Sequence, residues 1–205
     1  MLRTLRFFLY DIRFHLGLLA LECPVLAAVS ALVGNFQYDM CLFPFLQYTL
    51  VLFSSALGNS SAPNALALGG RRRDIFWGIQ GSLLIYGLWA AALAGAANFL
   101  TGRLGYPALE LSPAALLFYL LSCWVLAVLG TAISLMPQRL RTLSALLSGL
   151  LILLVIALCI PLFLYTDGRL HLWGSLPWLI PLGLVLLGAV GEGFLYRFIQ
   201  RLCVR

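Results

Sequence analysis

Residues 142–166 read TLSALLSGLLILLVIALCIPLFLYT, twenty-five positions without a charge. Every position from Leu150 to Leu158 is apolar, so no period of two runs through the stretch. A lipid-facing barrel strand would alternate over about ten residues. A helix satisfies its own backbone groups in lipid, and roughly 20 apolar residues carry it across. The stretch therefore reads as a membrane-spanning helix.

Working outward, the charges divide the rest of the chain into similar intervals. Residues 40–70, 75–102, 111–138 and 170–191 carry no charge, and residues 14–38 carry only Glu22. Six intervals predict six spans, near 16–34, 40–58, 79–99, 114–135, 143–165 and 177–196. The expected fold is all-α and integral to the membrane, a single transmembrane domain over residues 1–205. Composition agrees. Of the 205 residues 62% are apolar and 10% charged, with a mean hydropathy of +1.01. An ordinary soluble domain is about a quarter charged, so that class, a disordered chain and a solvated coiled coil are excluded.

The net charge is +6, and all thirteen basic residues are arginine. They lie between apolar runs, which favours an anionic lipid surface over nucleic acid as the partner. With the N-terminus cytoplasmic, eleven of the thirteen fall inside and only Arg103 and Arg169 outside. That split obeys the positive-inside rule and puts both termini in the cytoplasm. Glu22 and Pro24 interrupt the first apolar stretch, so the N-terminus reads as retained and not as a leader. The outer loops, 35–39, 100–113 and 166–176, are short. In the last, Trp173 and Trp178 read as interfacial aromatics, with Gly174 and Pro177 beside them as the material of any small outer gate.

The absence of lysine removes the P-loop, the Schiff-base enzymes and the kinases, each of which uses one. Any ATP-driven work therefore needs a second polypeptide. The five cysteines do not pair as CxxC or lie within ligand spacing of His15 or His171, and read as small packing residues. No HExxH is present. His15 and His171 are too shallow for an intramembrane serine protease, and Asp11, Asp39, Asp74 and Asp167 fall outside the span cores. The chain is expected to catalyse no covalent chemistry and to bind no metal or cofactor itself.

Intramembrane acids are functional candidates. Glu22 lies roughly 10 Å into the first span at 1.5 Å per residue, within reach of Arg139 or Arg197. Glu192 lies nearer the inner end of the last span, where Arg197, Arg13 or water can meet it. Neither acid has a partner at mid-depth, which weakens an ion-coupled carrier. Gln47, Tyr48, Ser54 and Ser55, with Ser144 and Ser148 four residues apart, either line a path or join helices. Pro44 predicts a kink in the second span.

Two segments flank the spans. Leu2, Leu5, Leu9, Ile12 and Leu16 share one helical face and Arg3, Arg6, Tyr10 and Arg13 another, the pattern of an amphipathic helix lying in the membrane surface. Residues 59–78 read NSSAPNALALGGRRRDIFWG. Ser60 or Ser61 can cap a helix, Pro63 suits its first turn, and Gly69 and Gly70 can end it. The alternative is a disordered loop stopped at the headgroups by Arg71, Arg72 and Arg73.

Here the chain resembles the ABC-2 type transporter permeases. Small bacterial members carry a pattern similar to L-x-x-G-x-x-R-x-D-[FI]-F-x-G after their second span, matched by Leu66, Gly69, Arg72, Asp74, Ile75, Phe76 and Gly78. The resemblance implies a half-transporter of the bacterial inner membrane: two permease chains, identical or related, with two ABC ATP-binding subunits that carry ATP and magnesium. It implies a coupling helix that docks on the ATPase, here Ala62 to Leu68, including Pro63 and Ala65, followed by Gly69, Arg72 and Asp74. The short segment before the last span departs from larger relatives, which hold re-entrant helices or a domain there. The competing readings are a small secondary carrier or channel and a non-transport assembly subunit.

Overall fold

In the computed structural model, residues 2–33, 38–103, 113–166 and 179–202 are described, and among them the chain is helical with no strand. The elements are α1 (Leu2–Val33), α2 (Tyr38–Ala56), a π-turn (Leu57–Ser61), α3 (Ala62–Ala67), α4 (Arg72–Arg103), α5 (Pro113–Ser134), a 3₁₀ turn (Gln138–Leu140), α6 (Arg141–Thr166) and α7 (Leu179–Arg201). Each expected span lies largely on one helix. Over the described residues four helices, α4, α5, α6 and α7, are long and apolar enough to cross a membrane, and mark a multi-pass membrane protein.

α5 is the axis of the bundle and touches α2, α4, α6 and α7. Val125, Leu126, Ala127 and Val128 are all buried, which four consecutive helical residues can be only when neighbours surround the helix. Α1 runs parallel to α4. Phe8 lies on Gly78, His15 Nδ1 is 2.7 Å from the Tyr86 hydroxyl, and Trp89 Nε1 donates to the Leu16 carbonyl at 3.1 Å. The buried stripe on α1 is Phe8, Ile12 and Leu19, with His15 half-buried among them and stacked on Phe53 at 4.5 Å.

That stripe corrects the expected N-terminus. Residues 2–16 do not form a separate surface helix; they are the first four turns of α1. No proline interrupts the run before Pro24, and Gly17 alone is a weak breaker, costing about 1 kcal/mol. The buried face passes through the expected junction unbroken, so packing on α4 favours one straight helix. Leu9, assigned to the apolar face, is 41% exposed, because the face that packs is centred on Phe8 and Ile12 instead. Pro44 sits within α2. Asp167, Arg169, His171, Trp173, Gly174, Pro177, Trp178 and Glu110 lie outside the described residues.

The contacts between helix ends define one basic end of the bundle. Arg72 Nη2 donates to the Leu202 carbonyl at 3.1 Å, Ser61 bonds Asp11, and Gly58 abuts Ser134. The start of α1, the π-turn, the starts of α4 and α6 and the ends of α5 and α7 are thereby gathered together. Arg6, Arg13, Arg71, Arg72, Arg73, Arg139, Arg141, Arg197 and Arg201 are all exposed there. Arg103, at the far end of α4, lies over the Phe99 ring at 5.1 Å.

Candidate functional site

The segment from Leu57 to Gly78 is built by two local devices. The first is the π-turn. Ala56, Ser61 and Ala62 all have right-handed helical angles, so the chain stays helical from Tyr38 through Ala67. α3 is thus an extension of α2, not a helix set apart from it. Neither serine caps α3. Ser60 Oγ donates to the Ala56 carbonyl at 2.7 Å, and Ser61 Oγ donates to the Asp11 carboxylate on α1. A capping serine needs extended backbone, and a helix that never stops does not offer it.

The second device ends the helix. Gly69 has φ +83°, the left-handed conformation that glycine adopts without strain. Its N–H donates to the Leu66 carbonyl at 3.0 Å and the Gly70 N–H to the Ala65 carbonyl at 2.9 Å, which is the Schellman pair. Gly70 has right of way for a different reason: a Cβ there would meet the Ala65 carbonyl oxygen at 2.6 Å. The two glycines reverse the chain within three residues. α4 then opens with Asp74 in its first turn, where a carboxylate offsets the exposed N–H groups.

The motif positions tie this reversal to three helices. Leu66 is partly buried against the core and Ile75 is fully buried. Arg72 reaches the carboxyl end of α7, and Phe76 packs edge-on against Tyr196 of α7 at 5.5 Å. Gly78 admits the Phe8 ring of α1, whose Cγ would lie 3.2 Å from an added Cβ. Ala62 and Ala65 face inward. Pro63 is half-buried, and Leu68, at 76% exposure, stands out from the turn.

Deeper polar residues join helices. Gln47 Nε2 donates to Ser122 Oγ at 2.7 Å, and Cys159 Sγ lies 3.6 Å from Gln47 Oε1, linking α2, α5 and α6. The Ser55 hydroxyl lies 3.5 Å from the Gly130 carbonyl, while Ser54 Oγ donates to Val51 in its own helix at 2.9 Å. Thr131 Oγ1 lies 3.0 Å from the Ser54 carbonyl and 2.9 Å from that of Ala127. Ser144 Oγ reaches the Ile133 carbonyl at 3.4 Å, Ser148 donates to Ser144 within α6 at 2.9 Å, and Tyr48 is exposed. These six residues do not converge on one cavity.

Neither intramembrane acid meets an arginine among the described residues. Glu22 takes the Thr49 hydroxyl of α2, and its Oε2 is buried with no hydrogen-bond partner there. Arg139 and Arg197 are exposed at the basic end, a turn or more of helix too far away. Glu192 accepts from the Gln80 amide and the Trp124 indole N–H. Cys23, Cys123 and Cys159 are free thiols, and no group of side chains able to hold a metal occurs among the described residues.

Several of these partners went unread in the sequence: Asp11, Thr49, Gln80, Trp124 and Thr131. One signal for the α2–α5 contact was available. Ser54 and Gly58, like Gly130 and Ser134, are small residues four apart, the spacing that lets membrane helices approach closely. No family model, curated protein or solved structure matches the chain.

Proposed function

We propose that this chain is the membrane-spanning permease subunit of an ATP-driven ABC transporter, an exporter of a bacterial inner membrane, with six spans and both termini cytoplasmic. Two such subunits pack about a two-fold axis, since one six-span chain needs a partner to enclose a path. Two separate ATP-binding subunits carry ATP and magnesium and dock on the tip formed by Ala62 to Leu68.

The observation that carries this reading is the exposed Leu68 at the end of a rigid, glycine-terminated helix. An isolated leucine at the basic end has no core of its own to join, whereas a docking protein offers one. The tip is also mechanically continuous with α2, and through Asp11 and Arg72 it holds α1 and α7. A displacement of Leu68 is therefore delivered to three long helices together. ATP closing the partner dimer would shift their equilibrium between two arrangements.

Purification from native membranes in mild detergent tests the reading. A P-loop ATPase should accompany the chain in near-equal amount, and Leu68→Asp should abolish that association while leaving membrane insertion intact. Leu68 is the cleaner probe, because Leu66 also packs on the core and its substitution mixes docking with stability. A chain that purifies alone and stays alone after crosslinking sinks the proposal.

A further inference from the structure

The side of α4 that faces α5 and α7 holds a half-open groove of about 400 Å³, lined by Trp77, Gly78, Gly81 and Leu84 of α4 and by Trp124 of α5. Asp74 stands at its basic-end mouth. From Asp74 to Leu84 the groove runs about 15 Å along the helix at 1.5 Å per residue. Gln80, which also lines it, binds the Glu192 carboxylate behind the wall, and so does Trp124. Both donors are neutral groups, and no cationic side chain among the described residues neutralises Glu192.

We propose that this groove binds a hydrophobic organic cation, the class of compound that carries a delocalised or quaternary positive charge on apolar substituents. Four features suit it. Trp77 and Trp124 offer indole faces, which attract a cation by about 0.5–2 kcal/mol each. Glu192 supplies the opposite charge in a low-dielectric setting, where attraction is strong. Glycines at 78 and 81 leave the floor without side chains. Leu84, 62% exposed, leaves the deep end open to lipid, from which an apolar cation arrives already concentrated. An anion has no donor here beyond the two already engaged, and a neutral apolar ligand leaves the carboxylate unpaired.

As a description of cargo this inference rests on the permease reading; as a binding site it does not. The test is equilibrium dialysis of the full chain in nonionic detergent with tritiated tetraphenylphosphonium as the probe. Saturable binding is expected, with no competition from neutral triphenylphosphine oxide. Glu192→Gln, which keeps shape and an acceptor, should weaken it about tenfold, the equivalent of 1.4 kcal/mol. Trp77→Ala, at an exposed position that the fold does not need, should weaken it severalfold. Equal binding by wild type and Glu192→Gln, full competition by the neutral oxide, or no binding by wild type each overturns the proposal. The last outcome is also the one expected if a second copy of the chain fills the groove. Charge-dependent binding by a chain that purifies without an ATPase upholds the site and removes the permease reading; an ATPase partner with no binding does the reverse.

Discussion

α5 and α6 follow one another in the chain, and α6 is the more apolar of the two. Yet 61% of the spanning stretch of α5 is buried inside the bundle and only 22% of that of α6. The difference lies in the side chains, not in the hydropathy. α5 carries Ser122, Gly130, Thr131 and Ser134, and each touches a neighbouring helix or bonds a backbone carbonyl. α6 presents Leu143, Leu146, Leu150, Ile152, Leu153 and Ile156 outward. In lipid, burying a leucine against another helix gains little over leaving it in hydrocarbon, so close backbone approach and interhelical hydrogen bonds decide which helix is central. Hydropathy identifies the solvent; small and polar residues identify the neighbours.

The sharpest way to break this comparison is a pair of glycines. A Cβ on Gly58 would lie 2.9 Å from the Thr131 carbonyl oxygen of α5 and 3.1 Å from Ser134 Cβ, whereas one on Gly149 of α6 meets nothing within 4 Å. Gly58→Leu should cost about 3 kcal/mol, and Gly149→Leu within about 0.5 kcal/mol of nothing. Thermal unfolding in detergent, followed by the fraction remaining monodisperse, measures both. Equal losses would mean that α5 is not the packed axis.

A smaller effect is expected at the hydrogen bonds of the seam. Thr131→Val removes the hydroxyl from the Ser54 carbonyl while keeping shape, and should cost about 0.6 kcal/mol, the average for such bonds between membrane helices. The same unfolding measurement, with a Ser148→Ala control on exposed α6, separates a seam bond from a solvated one; the control should be near neutral.

The smallest perturbation concerns the outward face of α6. Leu153→Cys and Val128→Cys, each carrying a fluorescent label, should differ in quenching by a lipid-soluble nitroxide, with only the α6 label reached. A label at 153 that is protected in native membranes and released in detergent would place a second protein on that face.

Much of the fold was legible because lipid makes it so. Charge-free intervals become helices, and the arginines at their ends become one basic face. The Gly69 turn was equally local, since two adjacent glycines after an apolar pair leave little else for the backbone to do. The rest depended on tertiary packing. Nothing within residues 2–16 indicates that Phe8 will meet Gly78 and draw the segment straight into α1. Ser60 and Ser61 carry a strong capping signature, yet the π-turn keeps the backbone helical through both and gives Ser61 to Asp11. The acids misled for a related reason. Arginine is the obvious partner for a membrane carboxylate, but every long arginine here reaches its water or a backbone carbonyl more readily, and threonine, glutamine and tryptophan met the acids instead. For the docking tip, the sequence offered a pattern and the structure offers an exposed leucine; what binds it is a matter for the copurification.

The π-turn also has a genetic consequence. Such a turn holds one residue more than an α-helix needs for the same rise, so it can be read as a single-codon insertion that the helix absorbed. Removing Asn59, which is exposed and whose loss breaks no described contact, would restore an ordinary helix from α2 into α3 and rotate everything beyond it by about 100°. Ala62 and Ala65 would turn outward and Leu68 would point elsewhere, with the composition of the tip unchanged. Lineages that differ by one residue at this position would therefore present different faces to the same partner, and insertion or deletion there, more than substitution, is the change by which subunit pairing would diverge.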